Sequence, residues 1–381
     1  MRPKSFVTRL SRAALLLGVA ALVLTAFGTT VAVAKAKKVD KKAKPVALQT
    51  GNPSAPVTLE EAGSSLLYPY LQVLTPQLST AYPNITLAPA AGGSGLGISD
   101  TIAKLVQLGG SDAYLAPELA VANPGVENIP IAVSAQAIDY YVPGAPSFLN
   151  LSGNVLAQIY EGKITNWNDP QLAALNPTVT LPNLAIDPVR QVDSSGDTFL
   201  FTSFLSATNS AWANGPSEGT TVTWPAVSSE LTASGNPGMI QVCHATPGCV
   251  AYIGVSVENT AIEDGLQEAL VKNKAGKFLK PIHSTIEAAV AASTKTTPAT
   301  LAQSLIYASG KNSYPIINFE YLMVQKQQSS AAVAEAIRTF LAWASSPTGG
   351  ATSDNLSAVD FVALPTSVIP KVDAAIAKIT G

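Results

Sequence analysis

Apolar residues along this chain follow two kinds of spacing, and each kind predicts one type of element. Short apolar or alternating runs predict strands at 57–61, 85–88, 129–133, 137–142, 250–257 and 315–324. Apolar residues three or four positions apart predict helices around Leu71 to Leu78, at 99–108, 151–160, 171–175, 199–205 and 285–292, from 330 to a stop at Pro347, and at 368–379. Strands that alternate with helices predict an α/β fold, in which helices flank a parallel or mixed sheet.

The stretch 190–199 joins an extended apolar run to one of these helices. At a helix start several backbone N–H groups lack intrahelical partners, and the helix dipole is positive there. Ser195, Gly196 and Asp197 can therefore present donors to an oxyanion, and Gly196 allows the ligand to approach the backbone closely. An ordinary helix capped by Ser or Asp explains the same pattern, so this stretch alone leaves both interpretations open.

Two further turns place small polar residues between a strand and a helix. Ser64 and Ser65 follow the first predicted strand, and Ser94 lies in a glycine-rich turn after the second. The glycine spacing of that turn is not the dinucleotide-binding pattern. Asp112 lies in a third turn of small residues, where an aspartate is most often a turn or cap residue.

The N-terminal segment has the pattern of a secretory signal. Four basic residues precede an uncharged run that ends at 32–34 in Ala-Val-Ala, so we expect residues 1–34 to be a cleaved signal. The run is also long enough to span a bilayer as an uncleaved anchor. No cysteine lies near it, which excludes lipid attachment through an N-terminal cysteine.

The charge of the chain is unevenly distributed. Residues 35–45 contain six lysines and one aspartate, and we expect 35–56 to be a solvated tether. Of the 23 Lys and Arg residues, four lie in the signal and six in the tether, which leaves 13 against 24 Asp and Glu. The remaining body therefore has a net charge of −11, which disfavours nucleic acid as a partner.

Cys243 and Cys249 enclose a short loop that contains Pro247 and Gly248. In an oxidising compartment a disulfide between them is the expected outcome. Zinc binding by the two cysteines and His244 is the alternative, but a fourth ligand at the usual spacing is missing.

Several motifs occur together in the order and approximate spacing of one protein family. They are Ser64-Ser65-Leu66-Leu67-Tyr68-Pro69, Gly93-Ser94-Gly95-Leu96-Gly97-Ile98, Ser111-Asp112-Ala113, Tyr160-Glu161-Gly162-Lys163-Ile164-Thr165-Asn166-Trp167, Asp193-Ser194-Ser195-Gly196-Asp197-Thr198-Phe199 and Tyr314-Pro315-Ile316-Ile317-Asn318-Phe319-Glu320-Tyr321. With them the chain resembles the substrate-binding protein of the high-affinity phosphate ABC transporter, from residue 57 to residue 381.

This resemblance implies a two-lobed Venus-flytrap fold of the type II periplasmic-binding-protein class, with two crossovers between lobes and the ligand in the cleft. Residues 57–132 and 316–381 would form lobe one, and residues 133–315 lobe two. It implies a monomer that binds inorganic phosphate outside the cytoplasm and delivers it to the membrane permease of an importer. No cofactor, resident metal or enzymatic activity is implied.

The resemblance also implies which residues contact phosphate. Lobe one would contribute Ser65, Leu66, Ser94 and Asp112, with Asp112 as the acceptor of the phosphate proton. Lobe two would contribute Gln191, Asp193, Ser195, Gly196 and Asp197. A carboxylate acceptor beside neutral donors favours an oxyanion that still carries a proton over fully ionised sulfate.

Gln191 departs from the family pattern, which has arginine at this position. Neighbouring side chains of a strand point to opposite faces, so Arg190 cannot replace the missing guanidinium without a bulge or a register shift. Glutamine brings neither the positive charge nor the bidentate geometry of arginine. An envelope protein that binds another oxyanion, or has lost tight phosphate binding, is therefore the alternative function.

Serines near aspartates are also found in hydrolases, so a hydrolase is the remaining class of function to consider. His244 lies in the cysteine loop, and His283 lies in a polar segment, so neither is placed as the base of a catalytic serine. The sequence therefore favours a binding protein over an enzyme.

Overall fold

The elements predicted from apolar spacing recur, with revised ends, in the structure, a computed structural model that describes Leu48 and residues 50–381. The predicted signal and most of the predicted tether lie outside the described residues. The strands are β1 (Val57–Gly63), β2 (Ile85–Ala91), β3 (Leu108–Ser111), β4 (Val126–Tyr141), β5 (Asn150–Leu151), β6 (Asp187–Gln191), β7 (Leu231–Ala233), β8 (Cys249–Gly254), β9 (Gln267–Glu268), β10 (Leu270–Lys272), β11 (Phe278–Leu279) and β12 (Ile317–Gln325).

Helices connect most of these strands. They are α1 (Tyr68–Ala81), α2 (Ser94–Ala103), α3 (Pro117–Ala122), α4 (Gly153–Tyr160), α5 (Pro170–Leu175), α6 (Gly196–Thr208), α7 (Ser210–Asn214), α8 (Gly235–His244), α9 (Glu258–Glu263), α10 (His283–Ser293), α11 (Ala331–Ala344), α12 (Ser353–Ser357) and α13 (Ile369–Ile376). None of the helices in the part of the chain that the structure describes has both the length and the apolar composition to span a bilayer.

Most of the strands form one curved sheet. Over the described residues it has nine strands in the order β2-β1-β3-β12-β4-β8-β6-β7, with β9 paired to β4. β1 runs parallel to β2 and β3, and β6 runs parallel to β7 and β8. β12 lies antiparallel to both β3 and β4. The carboxyl ends of β1 and β3 therefore lie at the same edge of the sheet.

β4 is a single strand of 16 residues, whereas the sequence predicts two strands at 129–133 and 137–142. That prediction is wrong because the polar residues between the runs belong to the strand. Ser134 donates a hydrogen bond to Glu320 Oε1 at 2.5 Å, and Gln136 donates one to Asp197 Oδ1 at 3.0 Å. Both side chains are buried and donate hydrogen bonds, so they interrupt the apolar pattern without ending the strand.

The partner of β4 changes along its length. Residues 126–135 pair with β12, and residues 136–141 pair with β8. The predicted passage between lobes, at 132–133, lies inside this strand. The division into 57–132 plus 316–381 and 133–315 stays a prediction.

α2 begins at Ser94, five residues before the predicted start, and Leu108 belongs to β3. Gly95 and Gly97 obscure this start, because glycine weakens a helix. Close packing explains why position 97 is glycine. A Cβ there would lie 2.5 Å from the backbone oxygen of Gly110 and 2.7 Å from that of Ala62. The helix can pack this closely on β1 and β3 only with glycine at that position.

The second half of the predicted strand 250–257 is also revised. β8 ends at Gly254, and Val255–Val257 form a short 3-10 helix. The chain is apolar through both segments, so apolar character alone does not locate the end of the strand.

Cys243 and Cys249 form a disulfide, as predicted. It joins the last turn of α8 to the first residue of β8. The His244 ring forms a hydrogen bond with the carbonyl oxygen of Asp264 and stacks on Tyr141. The sulfur atoms that a zinc site would use are thus bonded to each other.

Candidate functional site

Asp112 is the centre of a buried polar cluster at the carboxyl ends of β1 and β3. Ser64, directly after β1, donates its hydroxyl to Asp112 Oδ1. Ser94, the first residue of α2, donates to Asp112 Oδ2 at 3.2 Å and accepts from the Asp112 N–H at 3.1 Å. The three predicted turns of the N-terminal half therefore meet at one carboxyl group.

Ser64 organises the first of these turns. Its hydroxyl oxygen accepts hydrogen bonds from the N–H groups of Leu66 and Leu67, both at 3.0 Å. The turn thus places Ser65 and Leu66, the predicted ligands, directly before α1. Ser64 itself is not among the residues that the sequence predicts to contact phosphate.

The N-terminus of α6 faces this cluster from the other part of the sheet. A Cβ at Gly196 would lie 2.3 Å from Asp112 Oδ2 and 2.4 Å from Ser94 Oγ, so only glycine allows this approach. Ser195 caps the helix by accepting from the Thr198 N–H at 3.4 Å. Gly196 and Asp197 belong to the first turn of α6, where backbone N–H groups have no intrahelical acceptors, and Gly196 lies against Asp112.

The N-terminus of α8 contacts Ser65, which lies in the turn after β1, and Asp193, which lies between β6 and α6. Asn236 donates to Ser65 Oγ through its backbone N–H at 3.1 Å and its side-chain amide at 3.2 Å. Asp193 Oδ1 accepts from the Gly235 N–H at 3.0 Å and from Ser234 at 3.3 Å. Asp193 is thus bound to the start of α8.

Asp197 lies among three side-chain amides. Gln136 donates to Oδ1 at 3.0 Å, while Asn236 and Gln191 donate to Oδ2 at 2.8 Å and 3.3 Å. The amide oxygen of Asn236 accepts from the Gly254 N–H at 2.8 Å. The amide oxygens of Gln136 and Gln191 are buried and have no hydrogen-bond partner among the described residues.

Arg190 and Gln191 point to opposite sides of β6, as the strand period requires. Gln191 is 2% exposed and faces Asp197, whereas Arg190 bonds Glu230 Oε1 through Nε at 2.6 Å. The Arg190 guanidinium also lies 5.7 Å from the centre of the Trp224 ring. The guanidinium of Arg190 is therefore engaged outside the cluster.

Burial raises the pKa of the acidic groups of this cluster. The pKa of Asp112 lies well above its usual value, first because the group is buried and second because Glu320 repels its charge. Burial, followed by the charge of Asp112, raises the pKa of Asp197 to about 8, against the lowering effect of the three amides. Burial raises the pKa of Glu320 to about 7. At neutral pH the cluster therefore retains protons.

The chemistry of this cluster suits a protonated oxyanion. It combines neutral N–H and hydroxyl donors with carboxyl groups that accept or share a proton. Within the described residues, no group of His, Cys, Asp and Glu has the arrangement of a metal site.

Comparison with known proteins places the chain in a family. A family model described as a PBP superfamily domain matches residues 50–348. The phosphate-binding protein PstS of Methanocaldococcus jannaschii is 32% identical over 341 residues, which cover 84% of this chain and 86% of that protein. The chain belongs to the PstS family. PstS of Haemophilus influenzae is also 32% identical, over 278 residues that cover 73% of this chain and 80% of that protein.

The fold agrees with this membership. A solved structure of a high affinity periplasmic phosphate-binding protein bound with phosphate aligns with a TM-score of 0.68 at 20% identity, over 84% of this chain and 93% of that chain. The described residues thus have the periplasmic-binding-protein fold that the resemblance implies.

Several residues of this cluster in the PstS-family chain were not predicted from the sequence. Asn236 is the second residue of α8, which follows β7 and Ser234, so its position carries the same strand-to-helix signal that identified the other three turns. Gln136 and Glu320 lie in strands that otherwise read as apolar, where a buried polar residue is the available signal. Asn318 donates to Glu320 at 3.1 Å and to the Asp112 carbonyl at 3.2 Å.

Proposed function

We propose that this chain binds inorganic phosphate outside the cytoplasm and delivers it to the membrane permease of an ABC importer. Its 32% identity with the PstS proteins of two organisms supports this function. The protein acts as a monomer in this proposal, and light scattering of the purified protein tests that part.

The observation that carries the proposal is the position of Asp112. It is a buried carboxyl group held by Ser64 and Ser94, directly beside the N-terminus of α6. A ligand at this point meets N–H donors on one side and a carboxyl acceptor on the other. Phosphate keeps a proton that the carboxyl group can accept, whereas sulfate has none at neutral pH.

The proposed ligand set is Ser65, Leu66, Ser94, Asp112, Gln191, Asp193, Ser195, Gly196 and Asp197. We place the first four on lobe one and the other five on lobe two, with phosphate between them. The contacts of Ser65 with Asn236, and of the Gly95 N–H with the Ser194 carbonyl at 2.8 Å, join the proposed lobes. These two contacts would separate when the cleft opens.

The proposed location requires export. We propose cleavage after Ala34, which leaves a protein that begins at Lys35 and carries no lipid. The intact mass of the protein from its native envelope tests this. A mass that includes Met1 would identify the segment as an anchor, and an added acyl mass would contradict the absence of lipid.

Isothermal titration with phosphate, arsenate and sulfate tests the function. The proposal expects saturable binding of phosphate and of arsenate, which has the same shape and also retains a proton, and much weaker binding of sulfate. Tight sulfate binding without phosphate binding would assign another oxyanion. No binding of any of the three would favour an envelope protein of this fold that has lost tight anion binding, which the missing arginine at position 191 makes the second candidate.

A further inference from the structure

Two side chains hydrogen-bonded to Asp197 each carry a buried acceptor atom that has no hydrogen-bond partner among the described residues. Gln136 and Gln191 each donate a hydrogen bond from Nε2 to the Asp197 carboxyl group. The acceptor atom without a partner among the described residues is Oε1 in both side chains. A buried acceptor that lacks a hydrogen bond is destabilising by about 1–3 kcal/mol. A ligand that brings a hydroxyl group to this point would relieve that cost.

Among the described residues, no lysine or arginine is a hydrogen-bond partner of the carboxyl groups of this site. The hydrogen-bond partners of Asp112, Asp193 and Asp197 are hydroxyl, amide and backbone N–H groups. Those of Glu320 are Ser134 and Asn318. A dianion in this position meets four acidic groups with no lysine or arginine among their partners, so each additional negative charge on the ligand is unfavourable.

We propose that this site takes phosphate as the monoanion H2PO4⁻, with Gln191 as the residue that sets this preference. One ligand hydroxyl donates to Asp112, and the second donates to the amide oxygen of Gln191. The two oxygen atoms without protons accept from the N–H groups of Gly196 and Asp197. This inference rests on the proposed function, because it concerns the protonation state of the same ligand.

Among the described residues, the groups that form hydrogen bonds with Gln191 and the Asp197 carboxyl group come from several elements, and none is basic. Gln136 comes from β4, Gln191 from β6, Asp197 from α6 and Asn236 from α8, while the hydroxyl of Tyr252 on β8 accepts from the Gln191 N–H at 2.9 Å. Burial raises the pKa of Asp197 to about 8, so below that pH this carboxyl group is mostly neutral and supplies no positive charge that would offset a dianion.

The test is the affinity of the purified exported protein for inorganic phosphate between pH 6 and pH 9. Free phosphate changes from monoanion to dianion near neutral pH, so the apparent Kd should rise about tenfold for each pH unit on the alkaline side. Titration in two buffers of different ionisation enthalpy should show about one proton taken up per phosphate at the alkaline end. A Kd that is unchanged across this range, without proton uptake, would overturn the inference and leave the proposed function intact.

Gln191→Arg provides the matched variant. A guanidinium beside Asp197 offsets one negative charge and makes the dianion acceptable, so the Kd of this variant should change less than about threefold per pH unit. Arg190→Gln, one position away on the opposite side of β6, should keep the wild-type slope. Parallel profiles for all three proteins would contradict the role of Gln191. Absence of phosphate binding at every pH would instead reject the proposed function.

Discussion

The carboxyl group of Asp112 has unusual surroundings for an anion-binding site. It is 2% exposed, accepts from two serine hydroxyls, and lies near a second buried acid, Glu320. Ionisation of either group disfavours ionisation of the other, so the pair holds a proton in common at neutral pH. In the proposed phosphate site, an incoming oxyanion would therefore be selected by its ability to share this proton as well as by its charge.

Asp112→Asn should remove much of the discrimination between phosphate and sulfate. The variant has an amide donor in place of the acidic group, so repulsion of an unprotonated oxygen is lost and the two affinities converge. Isothermal titration of both anions measures this. Asp264→Asn, an exposed aspartate on another surface, is the control and should leave the ratio unchanged. An unaltered ratio in Asp112→Asn would place the proton acceptor elsewhere.

Arg190→Ala and Gln191→Arg should differ in their effect on phosphate affinity although the residues are neighbours. Gln191→Arg adds a charge-assisted donor to the site, worth about 1.5–3 kcal/mol, and should tighten phosphate binding about tenfold to a hundredfold at neutral pH. Arg190→Ala removes the ion pair with Glu230 and the contact with Trp224, both outside the site. It should lower thermal stability slightly and leave the phosphate Kd within about twofold. The reverse pattern would require Arg190 to enter the site.

At the scale of elements, the sequence predicts the alternation of strands and helices well and their ends less well. The prediction that Arg190 and Gln191 face opposite sides of the strand is confirmed, because a strand has a period of two, which fixes the side that each residue faces. The prediction for β4 fails because Ser134 and Gln136 find their partners in β12 and α6, far away in sequence. The prediction for the start of α2 fails for a similar reason. Position 97 requires glycine because the helix packs closely against Gly110 in β3, which is a contact between different elements.

The same limit explains which site residues the sequence reveals. A residue in a turn between a strand and a helix can be identified locally, because the turn itself creates free N–H groups. Asn236 has that signal, but Gln136 and Glu320 lie inside strands and acquire their role only when the sheet is assembled. Local spacing carries no information about such partners.

The disulfide should stabilise the junction between α8 and β8 without contributing to binding. Closing so short a loop contributes about 2–3 kcal/mol in the chain-entropy account. A Cys243→Ser and Cys249→Ser double variant should therefore unfold at lower denaturant concentration, with an unchanged phosphate Kd. Thiol counting on the unfolded wild-type protein should give close to zero. Two reactive thiols in the native protein, or zinc retained through dialysis, would contradict this.

At the scale of the whole molecule, buried acids outside the site add to those within it. Burial raises the pKa of Glu61 to about 8, although its oxygens accept from the N–H groups of Gly110 and Ala90 at 3.0 Å and 3.4 Å. Burial, followed by the charges of Glu258 and Glu268, raises the pKa of Asp139 well above its usual value. The folded chain thus binds more protons than the unfolded chain between about pH 5 and pH 8.

This excess of bound protons should make the protein more stable in mild acid. The contribution of Glu61 and Glu320 is fully present below their unfolded pKa and is lost as the pH rises through the folded values of about 8 and about 7. We expect a Tm that is about 5 °C higher at pH 5 than at pH 8, measured by calorimetry without ligand. Glu61→Gln should reduce the difference. A Tm that rises from pH 5 to pH 8 would contradict the expectation.

Trp224 lies where its fluorescence can report ligand binding. Its ring stacks on Tyr252 with an angle of 6° between the planes and 6.4 Å between the centres, and the Tyr252 hydroxyl accepts from Gln191 and contacts Thr198 at 2.8 Å. A ligand that moves β6 or the start of α6 therefore changes the surroundings of an indole. Phosphate should alter the intrinsic fluorescence of the protein, and Trp224→Phe should abolish that change. Trp343→Phe, which alters an indole on α11 beside Gly349, should preserve it.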